Sequence, residues 1–155
     1  MTSFFAYVDT MLDSIDAILL GRTTYEGFVA HWPNSTQAEA PRMNSLPKFV
    51  ASTTLRNATW SNTTVIADDV ANAVARMKKE PGKDLAIIGS SILASSLAAH
   101  GLIDEYRFFV VPVLLGRGKR FFDGLTDRLD LSLQETRDAG SGVVVNYYTP
   151  KDTMP

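Results

Sequence analysis

The residue types best suited to chemistry lie in two segments where a short apolar run meets glycine and hydroxylated residues. Residues 21–24 read GRTT and follow the apolar run AILL, whereas residues 89–91 read GSS and follow LAII. Each segment precedes a pattern typical of a helix. Backbone N–H groups at the start of a helix attract anions, as does the positive end of its dipole. Both segments are therefore candidate phosphate sites.

Polar side chains in and after the first segment favour that interpretation and also offer an alternative. The Arg22 guanidinium and the threonine hydroxyls would hold a phosphate. Thr23 or Thr24 could instead cap the helix, with Glu26 reaching back in a capping box. A third group of hydroxyls, at residues 52–54, would either bind a ligand phosphate or terminate the strand before it. The residues alone leave these alternatives open.

Composition excludes several other kinds of site. The chain has no cysteine and only two histidines, His31 and His100, so we expect no disulfide, no thiolate chemistry and no metal site. A net charge of −2 gives no electrostatic reason to expect nucleic acid or an anionic membrane as a partner. No apolar run reaches membrane-spanning length and no signal peptide is recognisable. We therefore expect a cytoplasmic protein that acts on a small molecule.

The chain also lacks the motifs of the commonest nucleotide-binding and hydrolytic sites. It contains no G-x-x-x-x-G-K-[ST] loop, no G-x-G-x-x-G fingerprint and no G-x-S-x-G elbow. What remains is a pair of anion-suited helix starts without an obvious nucleophile or proton-transfer group. That profile suits hydride transfer, in which a bound cofactor carries the chemistry and the protein orients it. No catalytic residue is predicted.

Strands and helices alternate along most of the chain and end in a hairpin, which predicts an α/β domain with a mixed sheet. We expect residues 1–150 to form this single domain and residues 151–155 to form a tail. A long loop is predicted before the second strand. The predicted helices cover about 4–16, 24–31, 69–79 (capped by Asp68 or Asp69) and 91–101, and the predicted strands 17–20, 48–52, 63–67, 85–88, 106–113, 129–136 and 143–149.

Two motifs resemble a known family. Residues 18–26, ILLGRTTYE, look like the G-R-x-T-[YW]-E segment of the dihydrofolate reductase-like fold. Residues 101–105, GLIDE, together with residues 112–116, PVLLG, resemble its bacterial branch related to the C-terminal reductase domain of the bifunctional riboflavin-biosynthesis deaminase/reductase. The resemblance covers nearly the whole chain. It implies a three-layer α/β/α fold whose mixed, mostly parallel sheet ends in an antiparallel C-terminal hairpin.

The resemblance further implies an NADPH-dependent reductase that transfers hydride to a small unsaturated heterocycle. This substrate would be pyrimidine- or pterin-like, as in 5-amino-6-(5-phosphoribosylamino)uracil reduction. Residues 22–24 would meet the cofactor phosphates, residues 52–53 the adenosine ribose and its 2′-phosphate, and residues 89–92 the pyrophosphate and nicotinamide. Many relatives carry an arginine at the position of Thr53, where it binds the 2′-phosphate. Arg56 could take the place of that arginine here, so NADPH is expected over NADH. Carried over in full, the cofactor contacts are Leu20, Gly21, Arg22, Thr23, Thr24, Ser52, Thr53, Gly89, Ser90, Ser91, Ile92 and Leu93.

The N-terminus departs from the resembled pattern. Family members normally begin with a central strand and a loop before the first helix, whereas this chain begins at the helix. Without a central strand, both neighbouring strands have unpaired backbone groups. Three arrangements are consistent with this: a shortened form of a longer protein, a partner chain that fills the gap, or a sheet that closes over it. We expect a longer natural form and a homodimer. The alternative to a reductase is a non-catalytic nucleotide-binding or structural dimer.

Overall fold

Helices and strands are interspersed up to residue 99, and the last three strands then follow one another. The computed structural model describes residues 4–151. Its helices are α1 (Phe4–Asp13), α2 (Arg22–His31), α3 (Ala40–Ser45), α4 (Val70–Lys78) and α5 (Ser91–Ala99), with a 3-10 turn at Trp32–Asn34. Its strands are β1 (Ile15–Gly21), β2 (Lys48–Ala51), β3 (Thr63–Ile66), β4 (Asp84–Ile87), β5 (Tyr106–Val110), β6 (Leu131–Gly140) and β7 (Val143–Pro150).

The first four strands form a parallel sheet in the order β3-β2-β1-β4. The apolar run of β1 alternates between the two faces of this sheet. Ile18 and Leu20 pack against residues of α1, α2 and α3, whereas Leu19 packs against residues of α4 and α5. A strand buried on both faces needs a continuous apolar sequence, which accounts for the run ILL. The predicted three-layer α/β/α arrangement is therefore confirmed.

The last three strands form a separate antiparallel sheet in the order β5-β7-β6. β6 and β7 are joined by Ser141 and Gly142, which have positive φ angles of 55° and 81°, as tight hairpin turns require. Helix α1 covers one face of this sheet, where Phe4 and Tyr7 pack against a buried cluster that includes Val145. The predicted antiparallel hairpin at the C-terminus is thus confirmed.

The two sheets do not join. Within residues 4–151, β4 pairs only with β1, and β5 pairs only with β7, so each has one edge without a strand partner. Of the three arrangements consistent with a missing strand, the one in which the sheet closes over the gap is therefore not formed within residues 4–151. The free edges of β4 and β5 carry backbone N–H and C=O groups that can pair with a further strand.

Some element boundaries differ from those predicted, each for a local reason. The predicted long loop contains α3, because Pro41 suits the first turn of a helix. The strand predicted to reach residue 113 ends at Val110, since Pro112 has no N–H group to donate. β6 continues to Gly140 because the hairpin turn needs only two residues. Beyond Lys151, the predicted tail lies outside the described residues.

Candidate cofactor site

The three segments predicted to bind the cofactor meet at one edge of the parallel sheet. β1 and β2 end together, with Gly21 opposite Ala51. β4 pairs in parallel with the other side of β1, and α5 follows it after a short turn. Because parallel neighbours end at the same edge of a sheet, residues 21–24, 52–54 and 89–93 lie close together there.

Two hydrogen bonds join the turn after β1 to the turn after β4. The Gly21 N–H donates to Ser90 Oγ at 2.8 Å, and the Ser90 N–H donates to Thr24 Oγ1 at 3.1 Å. The Ser90 hydroxyl in turn donates to the Ile88 carbonyl at 3.0 Å. Each turn therefore supplies a hydroxyl that satisfies a backbone N–H group of the other.

The two turns meet at van der Waals distance. A Cβ atom on Gly21 would lie 3.5 Å from the Ser90 Cβ, and one on Gly89 would lie 3.4 Å from Thr24 Oγ1. Gly89 and Ser90 both have a left-handed backbone, with φ angles of 58° and 60°. Glycine adopts this conformation readily, whereas serine does so uncommonly. The hydrogen bonds of Ser90 therefore hold an unusual turn in place.

The N-termini of α2 and α5 have no side-chain caps. The residue before each helix makes no capping hydrogen bond. Helix α4 differs, because Asp69 accepts from the Asn72 N–H at 3.4 Å, as the sequence predicts for its cap. Because no N-cap side chain bonds to them, the first-turn N–H groups of α2 and α5 can bind an anion.

The capping box that the sequence offers as an alternative for α2 is not formed. Thr24 Oγ1 accepts from the Ser90 N–H on the neighbouring turn, and Glu26 pairs instead with Arg22 at 2.8 Å. The helix begins at Arg22 with Gly21 before it, so neither threonine occupies the capping position. The Thr24 hydroxyl, one of the two possible caps, instead makes a contact between the turns.

Arg22 extends the site to the loop after β2. Its guanidinium donates to Thr54 Oγ1 and, through Nε, to Glu26. Ser52 Oγ accepts from two following N–H groups, at 3.2 and 3.0 Å, which turns the chain after β2. Thr53 is exposed beside this turn. Sequence reasoning missed Thr54 as a partner of Arg22, because nothing local links residues so far apart in the chain.

The predicted residues with apolar side chains differ in what they can offer a ligand. Ile92 is 87% exposed at the start of α5. Leu20 and Leu93 are buried in the core, so only their backbone atoms could reach a ligand. The Ser91 hydroxyl donates to the Phe121 carbonyl, which joins the start of α5 to the long segment before β6.

Arg22 is the one ionisable side chain within residues 20–24, 52–53 and 89–93. The side chains whose pKa values are shifted most lie outside these segments, within the described residues 4–151. Burial, followed by the hydrogen bond to Tyr147, raises the pKa of Tyr7 to about 12 where α1 covers the antiparallel sheet. Burial lowers the pKa of Lys48, at the start of β2, to about 8. The site therefore suits anion binding better than proton transfer.

A cavity of about 370 Å³ lies between α1 and the antiparallel sheet, and no predicted cofactor residue lines it. Its charged groups are balanced, because Arg107 pairs with Glu105 at 3.1 Å and Arg137 pairs with Glu135 at 2.7 Å. These pairs leave no net charge to select a ligand. The remaining lining residues are Tyr7, Thr10, Met11, Ser14, Gln134, Tyr147 and Thr149.

Two further features bear on the class of protein. Residues 4–151 contain no group of three or more histidine, cysteine, aspartate or glutamate side chains that could hold a metal ion. None of the helices in that range is long and apolar enough to span a membrane.

Comparison with known proteins agrees with the fold. The RibD C-terminal domain family matches residues 4–145. The Bacillus subtilis protein YyaP, described as uncharacterized, is 32% identical over 142 residues, covering 88% of this chain and 75% of YyaP. A second uncharacterized Bacillus subtilis protein, YwjB, is 29% identical over 134 residues, covering 86% of this chain and 74% of YwjB.

Solved structures share the fold at low identity. A putative riboflavin biosynthesis protein from Shewanella sp. PV-4 has a TM-score of 0.74 at 18% identity, covering 92% of this chain and 78% of that one. A Thermotoga maritima diaminohydroxyphosphoribosylaminopyrimidine deaminase/5-amino-6-(5-phosphoribosylamino)uracil reductase has a TM-score of 0.63 at 13% identity, covering 93% of this chain and 48% of that one. The family that the sequence resembles is confirmed, and the chain belongs to the RibD C-terminal domain family.

Proposed function

We propose that this chain is an NADPH-dependent reductase that transfers hydride to a small unsaturated heterocycle. The observation that carries the proposal is the pair of uncapped helix N-termini, at α2 and α5, joined side by side at one edge of the parallel sheet. Ligands of open parallel sheets bind outside the carboxyl ends of the strands, and helix N-termini attract phosphates. Membership of the RibD C-terminal domain family supports the same activity.

The residues at this edge fit a phosphorylated dinucleotide. The N–H groups in the first turns of α2 and α5 would hold the two linked phosphates, and Arg22 would add a positive charge beside them. Arg22 is already held by Glu26 and Thr54, so little side-chain freedom is lost when it binds. Thr53 and Arg56 are exposed on the loop that carries Thr54 and would receive the 2′-phosphate that distinguishes NADPH from NADH.

When bound, NADPH supplies the hydride, and the chain binds and orients it. The cofactor segments contain no carboxylate or imidazole, so we propose that solvent supplies the proton. For the substrate we propose a pyrimidine-like heterocycle, because the similar Thermotoga maritima protein is named as a reductase of a substituted uracil. We place the protein in the cytoplasm, since a chain without cysteine has no need of an oxidising compartment.

A fluorescence titration of the purified chain with NADPH, and in parallel with NADH, tests this function. Binding that prefers NADPH at least tenfold, about 1.4 kcal/mol, supports the phosphate sites and justifies a turnover assay with pyrimidine substrates. Absence of saturable binding of either cofactor, by a chain shown to be folded, would refute the proposal.

A non-catalytic dimer is the second candidate function, and the free edges of β4 and β5 favour it. Phe109, Val110 and Val111 expose apolar side chains on β5 and just after it, as residues at protein interfaces often do. We propose that two copies pair through these edges. Light scattering should then give twice the 17.0 kDa chain mass, and Val110→Lys should restore the monomer. NADPH binding without turnover of any pyrimidine would favour this candidate over the reductase.

A further inference from the structure

We propose that Thr24 and Ser90 form a cross-turn latch that sets the spacing between the N-termini of α2 and α5. The latch consists of two hydrogen bonds, from the Ser90 N–H to Thr24 Oγ1 at 3.1 Å and from the Gly21 N–H to Ser90 Oγ at 2.8 Å. Both are positioning residues, because they act on a ligand through the backbone that they fix. The inference rests on the proposed function, since it requires one dinucleotide to contact both turns.

The latch hydroxyls are already engaged by the backbone. Ser90 Oγ accepts from Gly21 and uses its single proton to donate to the Ile88 carbonyl at 3.0 Å. Thr24 Oγ1 accepts from the Ser90 N–H. All of these contacts are partly buried, where an N–H group that loses its partner is costly. The hydroxyls therefore serve the junction between the turns.

The packing of the turns makes their spacing sensitive to these two bonds. A Cβ atom on Gly21 would already touch the Ser90 Cβ at 3.5 Å, so the turns meet at van der Waals distance. The left-handed backbone of Ser90, at a φ of 60°, is one that serine rarely adopts without support. Removal of a latch hydroxyl would allow the turn after β4 to relax away from the turn after β1.

A change in spacing has a characteristic effect on binding. A linked ligand binds tightly when its two anchoring sites lie at the distance that the ligand spans, because the second contact then forms at a high effective concentration. Each half of the ligand, bound alone, does not depend on that distance. Loss of the latch should therefore weaken a dinucleotide while leaving its separate halves nearly unaffected.

The experiment compares three ligands on four variants. Dissociation constants are measured for NADPH, adenosine 2′,5′-bisphosphate and reduced nicotinamide mononucleotide. Thr24→Val and Ser90→Ala each remove a latch hydroxyl, whereas Thr24→Ser retains it. Ser96→Ala, on the exposed side of α5, is the matched control. Amide hydrogen exchange of residues 21 and 90 in the free protein shows directly whether each latch bond is formed.

We expect Thr24→Val and Ser90→Ala to raise the dissociation constant of NADPH about tenfold and those of the half-ligands less than threefold. Thr24→Ser and Ser96→Ala should change none of the three by more than threefold. The amide of residue 90 should lose protection in Thr24→Val, and that of Gly21 in Ser90→Ala. If a latch variant weakens the binding of a half-ligand as much as that of NADPH, the latch proposal is overturned, whereas the reductase proposal is not. Failure of the wild-type chain to bind NADPH would overturn both.

Discussion

Lys48 is fully buried at the start of β2 and should make the stability of this protein depend on pH in the alkaline range. Its Nζ donates to the carbonyls of Met43 and Asn44, at 2.8 and 2.9 Å, and lies 4.1 Å from the centre of the Trp60 ring. These contacts favour the ammonium form, whereas burial opposes it. Burial has the larger effect and lowers the pKa of Lys48 from 10.5 to about 8.

Whether stability rises or falls with pH depends on which state, folded or unfolded, keeps the proton on Lys48. Between about pH 8 and pH 10.5 the unfolded chain keeps the proton on Lys48 while the folded chain has largely released it, so stability rises with pH. Below pH 8 both states are protonated and the contribution of this lysine is constant. One pKa unit is worth 1.36 kcal/mol, so the full gain is about 3 kcal/mol, most of which appears by pH 10.

The rise in stability ends near pH 10, because the titration of Tyr7 has the opposite effect on stability. Its pKa is about 12 in the folded protein, against 10.0 ordinarily, so above pH 10 the unfolded chain releases its proton first. Stability then falls as pH rises. We therefore expect the free energy of unfolding, from urea titrations, to rise from pH 8 to pH 10 and to fall beyond it.

Lys48→Met separates this effect from general alkaline behaviour, because methionine fills similar space and does not titrate. The variant should lose the rise between pH 8 and pH 10, whatever its stability at pH 7. Lys119→Met, at an exposed position, is the control and should keep the wild-type profile. Parallel profiles for the wild type and Lys48→Met, or a wild-type profile that is flat from pH 8 to pH 10, would refute the reasoning.

Three further substitutions test the core, a helix cap and the cofactor site. Leu97→Ala, at a position with 1% exposure, should lower the free energy of unfolding in urea by about 2–5 kcal/mol, and a loss below about 1 kcal/mol would contradict its burial. Asp69→Ala removes the cap of α4 and should cost about 1 kcal/mol, whereas Asp68→Ala should cost less than half as much in the same titration. Arg22→Met should raise the dissociation constant of NADPH at least tenfold, because a charge-assisted hydrogen bond is worth about 1.5–3 kcal/mol. Exposed Arg128→Met is its control, and equal effects of the two would exclude Arg22 from the site.

Much of the fold could be predicted because the residue patterns that indicate its strands and helices lie within short stretches of the sequence. The apolar run of β1 predicts a strand buried on both faces, and Asp69 before an apolar pattern predicts the cap of α4. His100, next to Gly101 at the end of the predicted helix, is close enough in sequence to contact the last carbonyls of α5, and its Nδ1 lies 2.8 Å from the Ser96 carbonyl. The three α/β/α layers and the absence of a central strand were predicted from the resemblance to a family. The assignment of residues 1–150 to a single domain stays a prediction.

The contacts that shape the candidate site could not be predicted because their partners are distant in the chain. Ser90 meets Gly21 across 69 positions, and Arg22 meets Thr54 across 32. A hydroxyl at a helix start has several acceptable partners, and local spacing alone cannot show that Thr24 bonds to the turn after β4. Burial of Lys48 is also invisible locally, since a lysine at the start of a strand is usually exposed.

Topology explains why two similar turns, far apart in sequence, come to lie at one place. From β1 the chain adds β2 and β3 on one side of the sheet, and it then returns to add β4 on the other side. Helix α2 packs on one face through Tyr25, and α5 packs on the opposite face through Leu93 and Leu97. Their N-termini therefore flank β1 and β4 at the point where the strand order reverses, where open α/β sheets form a crevice for ligands. A glycine and hydroxyl turn after a strand is common and indicates little alone. Two of them, placed by this reversal on neighbouring strands and bonded to each other, form the arrangement that the proposed dinucleotide site requires.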